Sequence, residues 1–260
     1  MDEITISKAI VESYTRDFLD FLDVDVAVVG AGPSGLVVGY YLARKGVKTA
    51  VYERRLSVGG GMWGGGMMFS RIVVQAEAKG ILDEFGITSN QYQEGYYIAD
   101  SLEAVSTMCS QAVKAGVRIF NLITVEDVMI REDDKVSGLV LNWSAVELAH
   151  LHIDPLTIRS NLVIDATGHD ADVCQIVARK IGPKLRTSTG GVIGEKSMWA
   201  EVGERELVNN TKEVYPGLIA AGMAVNAVFG LPRMGAIFGG MLLSGKKAAE
   251  LAISMLEAKK

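Results

Sequence analysis

Cysteine and histidine are scarce in this sequence of 260 residues. The two cysteines, Cys109 and Cys174, lie far apart and outside any C-x-x-C spacing, so the sequence predicts neither a disulfide framework nor a structural zinc site. The simplest interpretation is two buried thiols.

Two of the three histidines, His150 and His152, lie in the stretch AHLHIDP. In an extended segment these two and Asp154 would point to one face and offer three neighbouring ligands or acid/base groups.

Long apolar runs and basic blocks are also missing. No uninterrupted apolar run reaches the roughly 18 residues of a membrane-spanning helix. The first residues, MDEITISKAIVESYTRDFLDF, are acidic and amphipathic, unlike a basic stretch that leads into an apolar one. We therefore expect a cytoplasmic protein without a membrane partner. The net charge of −5 argues against nucleic acid as a partner.

Glycine, by contrast, is abundant, with 29 residues. The stretch VDVAVVGAGPSGLVVGYYLARKG predicts a strand, a tight turn and an apolar helix that ends at Lys45 and Gly46. Within that context Gly30, Gly32 and Gly35 form a G-x-G-x-x-G fingerprint. Its first glycine allows the turn, the second lets the backbone approach a pyrophosphate, and the third lets helix and strand pack closely. The sequence therefore predicts a dinucleotide at the N-terminus of this helix.

An acidic residue follows at the expected place. Glu53 ends the next predicted strand, 18 residues after Gly35, where a carboxylate would accept hydrogen bonds from an adenosine ribose. The alternative is a surface glutamate. An acidic group favours an unphosphorylated 2′-hydroxyl, so NAD or FAD rather than NADP. Arg54 and Arg55 come next, and either could contact a phosphate or be solvated.

The remaining elements complete an α/β pattern. The stretch SVGGGMWGGGMMFS is too rich in glycine for a stable helix, so it either wraps the ligand or acts as a mobile lid. We predict helices near 71–86 and 101–115 and strands near 117–131 and 136–145. NLVIDATGHD predicts an apolar strand, and the last 45 or so residues predict a strand, a glycine-rich segment and a long helix. We expect one Rossmann-like dinucleotide-binding domain over residues 1–260, with an inserted mixed α/β region at about 70–150.

This arrangement resembles the FAD-linked oxidoreductases of the glutathione-reductase type, whose ATG strand and late GLxAAGD segment close the cofactor site. One departure is visible. Those flavoproteins carry an aspartate after the Ala-Gly that holds the flavin side of the cofactor, whereas this chain has Gly222, Met223 and Ala224.

The motifs GAGPSG, YERR, GGGMWGGG, TGHD and GLPRMGAIFGGMLLSG together resemble more closely the thiamine thiazole synthase family, over about residues 20–255. The resemblance implies that NAD is a substrate, that glycine is a second one, and that the product is an adenylated thiazole (ADP-thiazole) for thiamine biosynthesis.

The resemblance also explains the histidine-rich stretch. In eukaryotic members of that family a cysteine in the segment matching LHIDP donates its own sulfur, and here that position holds His152. A histidine has no sulfur to donate. The chain thus resembles the archaeal-type branch, which uses free sulfide and Fe(II). His152 is the candidate catalytic residue and is also expected to contact NAD with Ile153 and Asp154.

The family implies further site residues. Asp154 and His169 match its iron ligands, with the aspartate supplied by an adjacent subunit, so a homo-oligomer with shared metal sites is implied, an octamer by analogy. Arg233 is expected to hold the carboxylate of glycine, as a guanidinium can, unless it forms a structural ion pair. The expected NAD contacts also include Gly30, Gly32, Ser34, Gly35, Glu53, Arg54, Gly61, Val125 and Met223.

Three other functions stay open at this point. An FAD-dependent oxidoreductase would lack a polar anchor at Met223. A non-enzymatic NAD-binding sensor or scaffold would leave NAD intact. An isomerase acting on a sugar phosphate would need a phosphate site that the sequence does not separately show.

Overall fold

A computed structural model describes residues 1–131 and 133–258. Glu132 and residues 259–260, which the prediction of one domain includes, lie outside the described residues. The helices are α1 (Glu3–Asp20), α2 (Pro33–Arg44), α3 (Ala76–Phe85), α4 (Ser101–Ala115), α5 (Ser144–Leu148), α6 (Asp172–Ile181), α7 (Ala200–Asn210), α8 (Met223–Phe229) and α9 (Gly239–Glu257). The strands are β1 (Asp23–Val29), β2 (Thr49–Glu53), β3 (Arg71–Gln75), β4 (Ser89–Gln93), β5 (Tyr96–Asp100), β6 (Arg118–Asn121), β7 (Ile123–Ile130), β8 (Val136–Trp143), β9 (Leu156–Asp165), β10 (Lys212–Tyr215) and β11 (Leu218–Ala220).

The main sheet is mixed and mostly parallel. In the described part of the chain it has eight strands, with the order β10-β11-β9-β1-β2-β6 along its main path. β11, β9, β1, β2 and β6 pair in parallel, while β10 is antiparallel. The strand pair β7 and β8 joins through the antiparallel pairing of β8 with β9. This architecture confirms the predicted α/β, Rossmann-like fold.

The central strand β1 is buried on both faces, as an apolar parallel strand should be. Val26 and Val28 pack with α2, α4 and α9, whereas Ala27 and Val29 pack with α6, α8 and the β7–β8 pair. Because successive side chains of a strand point to opposite faces, β1 connects two core layers. α2 begins with Pro33 in its first turn, where a missing N–H costs no hydrogen bond.

The inserted region differs in part from its prediction. A helix was expected from residue 71, but residues 71–75 form β3, which pairs with β5, and the helix α3 starts only at Ala76. The sequence RIVVQ has three β-branched residues and alternating burial, so pairing with β5 outweighs the helical pattern. The hairpin of β4 and β5 was not predicted. The helix at 101–115 is confirmed, and Asp100 caps it by accepting hydrogen bonds from two backbone N–H groups.

Two glycine-rich stretches contain short helices. The glycine-rich run contains a short 3₁₀ helix, Gly60–Gly64, and the glycine-rich segment near the end contains α8. The 3₁₀ helix is brief, which is consistent with the weak helix propensity of its glycines, and α8 lies between Gly222 and Gly230. Among the described residues, no helix combines the length and apolarity that crossing a membrane requires.

Candidate active site

A cleft with a cavity of about 910 Å³ opens at the carboxyl ends of β1, β2 and β9. This is the edge at which parallel α/β sheets bind their ligands. Its wall contains ten of the residues predicted from the sequence: Gly30, Gly32, Ser34, Glu53, Arg54, Gly61, Val125, His169, Met223 and Arg233. Residues distant in sequence thus line one continuous space.

The three fingerprint glycines have different surroundings. A Cβ on Gly30, whose φ is +96°, would lie 2.5 Å from the carbonyl oxygen of Ala166. A Cβ on Gly35 would lie 1.9 Å from the carbonyl oxygen of Gly30, although Gly35 is not part of the cavity wall. Nothing lies within 4 Å of a Cβ on Gly32. Gly30 and Gly35 therefore permit packing, while Gly32 leaves space for a ligand.

A buried hydroxyl lies at the same turn. Ser34 is in the first turn of α2, and its buried Oγ has no hydrogen-bond partner among the residues that the structure describes. Buried polar groups normally find a partner, and the N-terminus of a helix attracts anions. The unpaired hydroxyl and the open space at Gly32 fit a bound pyrophosphate.

Glu53 is held by backbone groups. Its Oε2 accepts a hydrogen bond from the N–H of Ala31 and its Oε1 one from the N–H of Arg55, both at 2.9 Å. Each carboxylate oxygen can accept a further bond. The side chain is buried at the end of β2, so its position at the cavity wall is fixed before any ligand arrives.

Arg54 is engaged by two carboxylates that sequence analysis had not connected with it. Its Nη2 lies 3.1 Å from Asp170 Oδ2 and its Nη1 lies 3.2 Å from Asp172 Oδ2. Burial raises the pKa of Asp172, and the neighbouring Arg54 opposes that rise. The two carboxylates therefore offset most of the guanidinium charge of Arg54.

The cavity wall also carries two side chains, His169 and Arg233, that share one carboxylate partner. His169 Nδ1 lies 2.9 Å from both carboxylate oxygens of Glu195, and Glu195 Oε2 lies 3.6 Å from Arg233 Nε. Glu195 itself is outside the cavity wall. Sequence analysis missed Glu195 because its surroundings, VIGEKS, form no recognisable motif.

Sequence analysis also missed a pair of buried hydroxyls next to Gly222, a residue of the cavity wall. Ser244 Oγ, on α9, accepts a hydrogen bond of 2.8 Å from the N–H of Gly222 and lies 2.6 Å from Thr211 Oγ1. All three residues are buried. Gly222 has a φ of +63°, a conformation that favours glycine. The buried hydroxyls hold this backbone next to Met223.

The segment that carries the other two histidines lies elsewhere. His152, Ile153 and Asp154 are exposed and are not in the cavity wall. Residues 151–155 belong to no strand, and His150 has a φ of +52°, so the expectation of one extended face is wrong here. β9 separates Asp154 from His169, and its ten residues would span about 33 Å if fully extended. Within the described residues, no three or more His, Cys, Asp or Glu side chains form a group able to hold a metal ion.

Comparison with known proteins identifies the family. A family model described as the Thi4 family matches residues 7–238. The chain belongs to the Thi4 family, the thiamine thiazole synthases. A thiamine thiazole synthase of Methanothermobacter thermautotrophicus is 62% identical over 257 residues, which cover 99% of both chains. Membership of the Thi4 family makes the chain an enzyme of thiamine thiazole synthesis.

Solved structures agree with this family assignment. The crystal structure of THI4 from Thermovibrio ammonificans matches with a TM-score of 0.97 and 53% identity, covering 99% of both chains. A geranylgeranyl bacteriochlorophyll reductase-like protein from Thermoplasma acidophilum matches with a TM-score of 0.57 at 15% identity, over 91% of this chain and 79% of the other. That more distant similarity supports the fold alone.

Proposed function

We propose that this thiazole synthase converts NAD and glycine into an adenylated thiazole, with free sulfide as the sulfur source and Fe(II) at the site. The observation that carries the proposal is the single cavity that runs from the dinucleotide fingerprint to Arg233 and His169. Its volume, about 910 Å³, is large enough for a dinucleotide, since ligand sites usually measure about 300–1,000 Å³.

NAD is proposed to bind along the fingerprint. Gly32 and Ser34 would contact the pyrophosphate, and Glu53 the adenosine ribose; Gly61, Val125 and Met223 would add backbone or packing contacts. Glu53, Asp170 and Asp172 surround Arg54 with negative charge, which disfavours a 2′-phosphate. We therefore expect NAD to bind more tightly than NADP.

Glycine is proposed to bind at Arg233. The Nε of this guanidinium faces Glu195, so the two Nη groups remain for the carboxylate of glycine. In the proposed reaction a water molecule replaces nicotinamide at the ribose carbon of NAD, which gives ADP-ribose and free nicotinamide. The carbonyl carbon of the ring-opened ADP-ribose then condenses with the glycine amine, with release of water.

Fe(II) is proposed to bind at His169 together with Asp154 of a second subunit. An imidazole and a carboxylate suit this ion and leave coordination positions open. When bound, it would polarise oxygen and nitrogen atoms of the intermediates as a Lewis acid. The position of Asp154, outside the cavity and beyond β9, supports a site shared between subunits of a homo-oligomer, an octamer by analogy with the family. His152 and Ile153 would then contact NAD across the same interface, with His152 a candidate for proton transfer.

Free sulfide is proposed because the chain offers no suitable sulfur atom. Cys109 lies on α4 and Cys174 on α6, and neither lines the cavity. Burial raises the pKa of both thiols, so each stays protonated and is a poor nucleophile. The reaction is proposed to take place in the cytoplasm.

The direct test is anaerobic incubation of the protein with NAD, glycine, Fe(II) and sulfide, followed by mass spectrometry of small molecules and of the protein. Several adenylated thiazoles per chain, with an unchanged protein mass, are expected. A protein lighter by one sulfur atom would contradict the use of free sulfide. Intact NAD would favour a binding protein, and a bound chromophore absorbing near about 450 nm would favour a flavin enzyme.

The glycine assignment has its own test. Arg233→Ala should raise the KM for glycine by about 10- to 100-fold, as the loss of a charge-assisted contact does. Arg205→Ala, which removes an exposed arginine that pairs with its neighbour Glu206 and lies outside the cavity wall, is the matched control. An unchanged KM in Arg233→Ala would show that the carboxylate binds elsewhere.

A further inference from the structure

Glu195 connects two residues of the proposed site without entering the cavity. Its carboxylate lies 2.9 Å from His169 Nδ1 and 3.6 Å from Arg233 Nε. The side chain is only 14% exposed, against 52% for His169 and 59% for Arg233. Glu195 is therefore the enclosed member of the three, behind two side chains that line the cavity.

The backbone around Glu195 is tied to the segment that carries Arg233. The N–H of Gly194 donates to the carbonyl of Ala227 at 2.8 Å, and the N–H of Lys196 donates to the carbonyl of Leu231 at 3.0 Å. In return, the N–H of Arg233 donates to the carbonyl of Lys196 at 3.2 Å. Hydrogen bonds on both sides thus fix the carboxylate relative to Arg233.

This contact determines which nitrogen of His169 is free. An ionised carboxylate only accepts hydrogen bonds, so the proton of a neutral His169 ring must be on Nδ1. The lone pair then lies on Nε2, the nitrogen left for a metal ion. Partners of this kind hold metal-binding histidines in one tautomer and one orientation.

We propose that Glu195 is a positioning residue that holds His169 with Nε2 available to the metal and holds Arg233 with its Nη groups directed to the substrate carboxylate. The inference rests on the proposed function, because it assigns Glu195 to the metal and glycine positions of that reaction. One carboxylate would thereby set the relative placement of both groups.

The test compares Glu195→Ala and Glu195→Gln with the wild-type protein. Glu201→Ala, which removes an exposed glutamate from the start of α7, is the matched control. The first readout is the ¹⁵N NMR spectrum of the histidine rings in the metal-free protein, which is tractable because the chain has three histidines. The second is anaerobic titration with Fe(II) alone, and the third is KM for glycine and for NAD.

In the wild-type protein we expect His169 protonated on Nδ1. Glu195→Ala should change that tautomer, weaken Fe(II) binding by about 10- to 100-fold, and raise KM for glycine more than KM for NAD. Glu195→Gln should retain the tautomer, because its amide oxygen still accepts the Nδ1 proton. It should nevertheless raise KM for glycine, though less than Glu195→Ala does, because the charge facing Arg233 is gone. Glu201→Ala should match the wild type in all three measurements.

An unchanged His169 tautomer and unchanged Fe(II) affinity in Glu195→Ala would overturn the inference. The failure of the proposed function would look different, since the wild-type protein itself would then form no adenylated thiazole. The tautomer measurement needs neither metal nor substrate, so it decides the role of Glu195 toward His169 in either case.

Discussion

The fingerprint turn at residues 30–35 and the segment 148–155 contrast in how they are held. The turn lies between β1 and α2, and a Cβ on Gly30 or Gly35 would meet backbone atoms of Ala166 or of the turn itself. The segment 148–155 is exposed throughout. Asn142 Nδ2 donates a hydrogen bond of 3.1 Å to the backbone carbonyl of Ile153 in this segment. The fingerprint turn is therefore held by contacts within its own chain.

The exposed segment 148–155 contains three large apolar side chains. Leu148, Leu151 and Ile153 are 80%, 57% and 50% exposed, and His152 and Asp154 lie among them. Apolar side chains clustered at a surface often mark a contact with another molecule. Packing within one chain thus holds the fingerprint turn, whereas a contact of residues 148–155 with a second copy is a proposal.

The largest effect is expected at Gly35. Gly35→Ala would place a Cβ 1.9 Å from a backbone oxygen, so we expect a loss of stability of at least about 3 kcal/mol, measured by urea denaturation. Gly32→Ala is the matched variant, because its Cβ meets nothing within 4 Å. It should fold normally and bind NAD more weakly. Equal stability of both variants would contradict the packing difference between the two glycines.

The second largest effect tests whether Asp154 and His169 reach one metal site from different subunits. Asp154→Ala and His169→Ala should each lower the rate of thiazole formation by about 100-fold or more, since each removes a proposed metal ligand. If the two residues come from different subunits, mixing the two variants under conditions of subunit exchange should restore activity, because some sites then contain both ligands. A mixture as inactive as its components would favour a site within one chain.

A smaller effect is expected from the ionisation of Glu204, whose side chain is buried. Burial raises the pKa of Glu204 from 4.5 to about 7, although the N–H of Gly240, 2.5 Å away, lowers it in part. The folded protein binds the proton of the Glu204 carboxyl more tightly than the unfolded chain does. The resulting stabilisation of the folded state is fully present below pH 4.5 and is lost as pH rises through about 7.

The free energy of unfolding should therefore fall by about 2 kcal/mol between roughly pH 5 and pH 8 on account of Glu204 alone. Glu204→Gln should remove that part of the slope, because its amide oxygen can still accept from Gly240 but does not ionise. Glu201→Gln, on the exposed side of the same helix, should retain it. Identical slopes for Glu204→Gln and the wild type would refute the assignment.

The smallest effect is expected at the exposed segment. Leu151→Ser and Ile153→Ser should change the stability of an isolated chain by less than about 0.5 kcal/mol, as exposed substitutions usually do. If another copy covers the segment, the same variants should reduce the size of the assembly in analytical ultracentrifugation. Thr157→Ser, an exposed change on β9, provides a control. An unchanged assembly would exclude this segment from the contact.

The glycine turn and the position of Glu53 could be predicted from sequence because their determinants are local. A glycine turn between strand and helix, and an acidic residue at the end of the next strand, occur within 24 residues of one another. The hairpin of β4 and β5 could not be predicted in the same way. β4 is polar and exposed along most of its length, so its strand character comes from pairing with β5 rather than from its own pattern.

The sequence by itself determined the α/β class, the fingerprint, Glu53 and the family, since each depends on residues in a fixed local order. Only the tertiary structure brought Glu195 between His169 and Arg233, placed Asp170 and Asp172 at Arg54, and left Asp154 outside the cavity. Those relations depend on strand order and on hydrogen bonds between segments far apart in the chain. No pattern confined to one stretch of sequence encodes them, because side chains meet there only after the sheet has formed.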